Sequence, residues 1–134
     1  MSIDGLLSME GNHERVIAKA VKAYQMNVKK LRGLMSSINA KREARERVPA
    51  REVWGVGDAV FKLTRDLRSL SLELDDLYAH LGRDLGVKRK WLEKAIILRR
   101  YVPERKTIPR GLNWGRIEKG TRRAAERIAQ GLAL

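Results

Sequence analysis

The residues of this 134-residue chain best placed to do chemistry are cations. Lys88, Arg89 and Lys90 stand together at the start of a predicted helix, with Trp91 next and Lys94 one turn on. Such side chains bind phosphate oxygens, and an arginine can also take a guanine edge through two hydrogen bonds. Their setting is Tyr78-Ala-His-Leu-Gly-Arg-Asp-Leu-Gly-Val-Lys-Arg-Lys-Trp-Leu-Glu-Lys-Ala-Ile-Ile97. It reads as two helices joined by a tight turn. Leu81 and Leu85 put apolar side chains on the inner face of the first helix, and Gly82 sits where a larger side chain would hold the helices apart. Gly86 takes the left-handed position after the helix that glycine adopts freely. Val87 plugs the turn, and Leu92 and Ala95 bring the second helix back onto the first. The spacing is that of a helix-turn-helix whose second helix enters a major groove by its N-terminal residues.

Catalytic chemistry finds no comparable set. His13 and His80 are too far apart to pair by local spacing, and His80 reads as a surface or packing residue. Asp75 and Asp76 suit the positive end of a helix better than a metal site, because no histidine or third acid is suitably spaced. No glycine-rich loop ends in Lys-Ser or Lys-Thr, and no serine sits in a nucleophile elbow. The expectation is a protein that is not an enzyme and needs no cofactor or metal.

Charge points to a polyanion. The chain has 29 Lys and Arg against 16 Asp and Glu, a net of +13. Residues 12–47 hold 10 basic and 3 acidic residues, and 86–127 hold 14 and 4; the segments between and before are slightly acidic. Nucleic acid is the first partner such an excess suits, an anionic membrane surface the second. No apolar run approaches the ~20 residues that span a bilayer. Met1–Gly11 lacks the pattern of a signal peptide. Zero Cys excludes disulfides, thiolate zinc sites and a cysteine nucleophile, and suits a reducing cytoplasm. Four Asn and two Gln beside 18 Arg give a thermophile-like composition.

Helical periods recur throughout, with no strand alternation. The expected fold is all-α: a small bundle of about five helices containing the helix-turn-helix (78–101), preceded by a long basic amphipathic helix. After a flexible 1–11, that first helix covers 12–48, capped by Asn12. Ile17, Val21, Tyr24, Val28, Leu31, Met35 and Ile38 form a heptad seam on it, with Lys19, Lys22, Lys29, Lys30 and Arg32 outward. The seam needs a partner, either the rest of the chain or a second copy in a homodimer or higher assembly. Alternatively, the helix lies across DNA with its basic face on the phosphates. Pro49 starts the domain 49–134 and a second helix from about Ala50 to Leu70, on which Trp54 and Phe61 are core anchors. Gly55 and Gly57 suggest a backbone passing close by. The recognition helix runs to Tyr101 and stops at Pro103. A last helix, capped by Asn113, turns Trp114, Ile117, Thr121, Ala124, Ile128 and Leu132 inward.

Val53-Trp54-Gly55-Val56-Gly57, the Leu85-Gly86-Val87 turn and Leu112-Asn113-Trp114-Gly115 resemble the N-terminal domain of YhcG-type nucleases, over about Val53 to Ile128. The turn and the helix after it also look like the DNA-binding part of ParB and KorB partition proteins. The resemblance implies a helix-turn-helix on duplex DNA, with the recognition role on Lys88, Arg89, Lys90 and Trp91, and Lys94 a turn further. The YhcG-type nuclease lies in a separate C-terminal domain that this chain lacks, so no cleavage is implied.

Two readings follow. One is a regulator or partition-like factor at the nucleoid, dimeric through the seam, with Arg99, Arg100, Arg110, Arg116, Arg122 and Arg123 on phosphates beside the recognition helix. The other is an architectural nucleoprotein, of chromatin or a virion, that coats double-stranded DNA without reading it; the recognition helix has no Asn or Gln to read bases. RNA is less favoured, because Tyr24, Tyr78 and Tyr101 all stand at positions compatible with the core.

Overall fold

The computed structural model describes residues 14–69 and 76–134. They form five helices of nine residues or more: α1 (Glu14–Glu43), α2 (Ala50–Ser69), α3 (Leu77–Leu85), α4 (Arg89–Tyr101) and, after the single-turn α5 (Trp114–Ile117), α6 (Thr121–Ala129). No strand occurs among the described residues, as expected. The nearest approach to one is an antiparallel bridge between Pro49 and Asn113, where Ala50 N–H donates to Leu112 O at 2.9 Å and Trp114 N–H to Val48 O at 2.7 Å. It ties the start of α2 to the start of α5. The expected flexible segment 1–11, the Asn12 cap, His13, Leu70 and Asp75 lie outside the described residues.

α1 is shorter than its charge-rich sequence suggests. Beyond Ile38 nothing apolar faces the core until Val48, so packing no longer supports the helix. Arg45 takes a left-handed conformation (φ 58°), and Glu46 N–H closes onto Lys41 O at 2.8 Å. This is the Schellman ending usually built on glycine.

The seam of α1 finds its partner within the chain. Tyr24, Val28, Leu31, Met35 and Ile38 are buried with Ala20 against α2 and α3. That corrects their assignment to self-association, since side chains enclosed by the chain's own helices are withdrawn from a second copy. Ile17 and Val21, nearer the N-terminal end, are half-buried. Tyr24 also donates to Asp84 Oδ2 at 2.6 Å and meets His80 edge-on at 5.6 Å between ring centroids. His80 is therefore a packing residue, 5% exposed, with Nε2 3.5 Å from the same carboxylate. Burial, reinforced by the Asp84 carboxylate, pushes the Tyr24 phenol far above its ordinary range, so it stays protonated as a donor.

α2 is flanked by α1 and α4. Lys41 of α1 pairs with Glu52 at 2.7 Å on one side. On the other, the Trp54 indole N–H donates to Val102 O at 2.7 Å. Gly57 marks the closest approach: a Cβ there would lie 2.1 Å from Ala95 O of α4. Gly55, the other glycine of the pair, faces open ground, 4.0 Å from Leu34.

A tight turn joins α3 to α4. Gly86 adopts φ 69°, and Val87 N–H donates to Gly82 O at 2.9 Å. A Cβ on Gly82 would stand 2.7 Å from Val87 O. The last helix departs from expectation. It is broken into α5, a 3₁₀ turn over Glu118–Gly120, and α6. Trp114, Ile117, Thr121, Ala124 and Ile128 point inward, but Gly131 (φ 70°) turns the chain and leaves Leu132 48% exposed.

Gly57→Ala is expected to cost about 2–3 kcal/mol in urea unfolding, because two backbones must separate. Gly55→Ala should be neutral or stabilise by about 0.5–1 kcal/mol through helix propensity. Equal costs at both positions would refute the close crossing.

Candidate nucleic-acid interface

Whether the cations act together depends on how α4 is held. Leu92, Ala95, Ile96 and Leu98 fasten it to the core, and Glu93, Lys94 and Ile97 between them are half-buried. Lys88 is the extended residue preceding α4 (φ −72°, ψ 143°); Arg89 and Lys90 are exposed in its first turn and Lys94 is half-buried one turn on. Glu93 shares this face and holds Arg89, with Nε to Oε1 at 3.1 Å. Sequence reasoning passed over Glu93, although its i,i+4 spacing from Arg89 signals the pair. Arg83, exposed at the end of α3, was missed as well. With Lys88, Arg89 and Gly86 it borders a shallow notch of about 710 Å³ between the two helices.

Trp91 is corrected from a DNA-facing residue to a core one. It is 8% exposed, meets Trp114 of α5 edge-on at 6.2 Å, and carries the Arg42 guanidinium over its ring at 5.4 Å. At helical spacing, Lys90 and Trp91 point about 100° apart, so a helix that shows one hides the other. Arg42 gave no local signal, being 49 positions away.

Arg99 is corrected too. Its Nε lies 2.8 Å from Asp58 Oδ1 of α2, and its guanidinium sits over Phe61 at 4.2 Å and Trp54 at 5.7 Å. The two side chains are 16% and 15% exposed, so Arg99 is largely committed to Asp58 and the two rings. Burial by itself raises the Asp58 carboxyl, but hydrogen bonds from Arg99 and Lys62 outweigh it and hold the group below its ordinary 3.8.

The remaining expected cations are on the surface but spread around it. Arg100 ends the outer face of α4. Arg122 and Arg123 face out from α6, where Arg122 meets Glu126 at 3.3 Å and lies over Tyr101 at 5.7 Å. Arg110 is exposed in the loop before α5. Arg116 borders a separate cleft of about 890 Å³ with Arg42 and Arg47, over a floor of Val48, Leu112, Trp114 and Ile128. The Arg42–Trp91 stack joins this cleft to the first turn of α4.

No group of three metal-ligating side chains occurs among the described residues, and no described helix is long and apolar enough to cross a membrane. No protein-family model, curated protein or solved structure matches the chain.

A carboxyl held below its unfolded value stabilises the fold above that value, and the contribution disappears as pH falls through the folded one. Wild-type stability is therefore expected to drop below about pH 4. Asp58→Asn should lose about 1–3 kcal/mol at neutral pH and show a flatter acid limb. Urea midpoints measured for both proteins at neutral and acid pH check this, and parallel pH profiles would refute it.

Proposed function

We propose that the chain binds duplex DNA, with α3 and α4 acting as a helix-turn-helix and the outer face of α4 as its contact helix. The observation that carries this reading is the division of α4 into a fixed side and a charged side. Trp91, Leu92 and Ala95 lock the helix, Arg89 and Lys90 are exposed in its first turn, Lys88 is exposed just before it, and Lys94 stands half-buried on the flank beside Trp91. Among the described residues, Lys88, Lys90 and Lys94 have no acidic partner. Pre-positioned cations of this kind suit a regular array of phosphates. The 13 residues of α4 span about 20 Å, the scale of a helix laid in a major groove.

Within this reading, coating of DNA without sequence readout is better supported than a dimeric regulator at the nucleoid. With Tyr24, Val28, Leu31, Met35 and Ile38 buried within the chain, a dimer that set two contact helices one DNA turn apart would need another surface. The outer face of α4 offers Lys, Arg, the half-buried Ile97 and one Glu already engaged with Arg89, and no Asn or Gln for adenine. Chromatin or a virus particle is where such a protein would act.

Binding to random duplex and to a genomic fragment pool, each across a salt titration, tests the proposal. Five or six phosphate contacts give a slope of log K against log salt of about −5, and Lys88→Ala with Lys90→Ala should reduce its magnitude by about 2. Arg89→Ala should weaken all sequences alike. A loss of about 1–3 kcal/mol confined to one base position would instead assign Arg89 to a guanine and favour the regulator. Binding unchanged by the double variant would overturn the role of α4.

A further inference from the structure

The largest unexplained charge lies away from α4. Between Glu14 and Glu43, α1 carries eight Lys and Arg and no Asp or Glu. Lys41 is spent on Glu52, and Arg42 lies over Trp91. The other six, Arg15, Lys19, Lys22, Lys29, Lys30 and Arg32, are exposed with no acidic partner among the described residues. Arg15, Lys19 and Lys22 repeat at one-turn steps, and Lys29 and Lys30 resume the row one turn beyond Met26, opposite the buried face of Tyr24, Leu31 and Ile38. Like charges at such spacing repel by a few tenths of a kcal/mol per pair, a cost that a covering polyanion removes.

An anionic membrane fits this face poorly. An interfacial helix inserts its apolar side, and most of that side of α1, from Ala20 to Ile38, is enclosed by α2 and α3; the half-buried Ile17 and Val21 and a single exposed Met26 do not replace it. Phosphates in a row fit better: Arg15 to Lys30 cover about 22 Å along the helix axis.

This face is also separate from α4. On α2, Gly55 looks toward Leu34 of α1 and Gly57 toward Ala95 of α4, and residues two apart on a helix point about 200° apart. α2 therefore lies between the two basic helices; Lys41 and Arg99 reach it, at Glu52 and Asp58, and the exposed cations of each helix lie on other sides. We propose that the outer face of α1 is a second duplex-binding surface, so that one molecule bridges two segments of DNA. The proposal rests on duplex binding by α4.

The test is a capture assay with the full chain. Protein is bound to an immobilised duplex, and retention of a second, labelled duplex is measured alongside the affinity for one duplex free in solution. Lys19→Glu, Lys22→Glu and Lys29→Glu are combined in one variant, and the same three positions as Gln in another, both checked for folding by circular dichroism. Wild type should capture the second duplex with a salt slope near −4 to −5, and both variants should bind one duplex within about two-fold of wild type. Capture should fall at least about ten-fold in the Glu variant and less in the Gln variant. The bridge is overturned if wild type binds one duplex and captures none, or if the variants capture like wild type. It is also overturned if they lose single-duplex affinity in step with capture, because one duplex then covers both faces. Occupation of α1 by phosphatidylserine vesicles rather than the second duplex overturns it in favour of a membrane. Failure to bind any duplex removes the α4 reading itself.

Discussion

Two backbones meet at Gly57 with no room for a methyl group, since a Cβ there would stand 2.1 Å from the Ala95 carbonyl oxygen of α4. Most of what the molecule presents to solvent depends on that approach. With α4 pressed onto α2, Arg99 reaches Asp58 and slides its guanidinium over Phe61, and Trp54 reaches Val102. Those contacts fix the rotation of α4 about its own axis. Rotation decides which of its residues face out, and hence that Lys90 is wet while Trp91 is dry. The solvent-facing side of α4 is thus set by a glycine on another helix.

Much of this was legible in the sequence, for physical reasons. Gly82 and Gly86 carry a local signal, because a close crossing and a left-handed turn each demand glycine at one offset from the apolar residues around it. The apolar period of residues 17–38 likewise announces a buried stripe wherever its partner lies. What was not legible was non-local. The heptad pattern of α1 is the same for a cognate helix in another chain and for α2 and α3 in this one, so periodicity did not choose between them. Arg99 reads as a surface cation until Asp58, 41 positions earlier, is placed beside it. Trp91 follows three cations and shares their apparent role, yet the helical twist sends it to Trp114. The break at Gly120 escaped because residues 114–128 keep an inward period even where the helix tightens into a 3₁₀ turn.

Charge and packing are divided among the helices. The faces that hold the bundle together contain few ions: Arg99 with Asp58, Lys41 with Glu52, and Asp84, which accepts from the neutral Tyr24 phenol. Those that hold α1 and α4 in solvent contain cations in excess. Such a surface repels itself, and the +13 chain keeps compact only because apolar burial at α2 outweighs that repulsion. Raised ionic strength therefore strengthens the fold while weakening its hold on any polyanion.

The edge-to-face contact of Trp91 and Trp114 has an optical consequence. Two indoles 6.2 Å apart, one following Lys90 and the other lining the Arg42–Arg116 cleft, form a coupled chromophore beside the first turn of α4. Trp54 lies under Arg99 on the other side of the same helix. The three indoles thus report on both flanks of α4, and any shift of that helix is readable in intrinsic fluorescence and near-ultraviolet dichroism without a label.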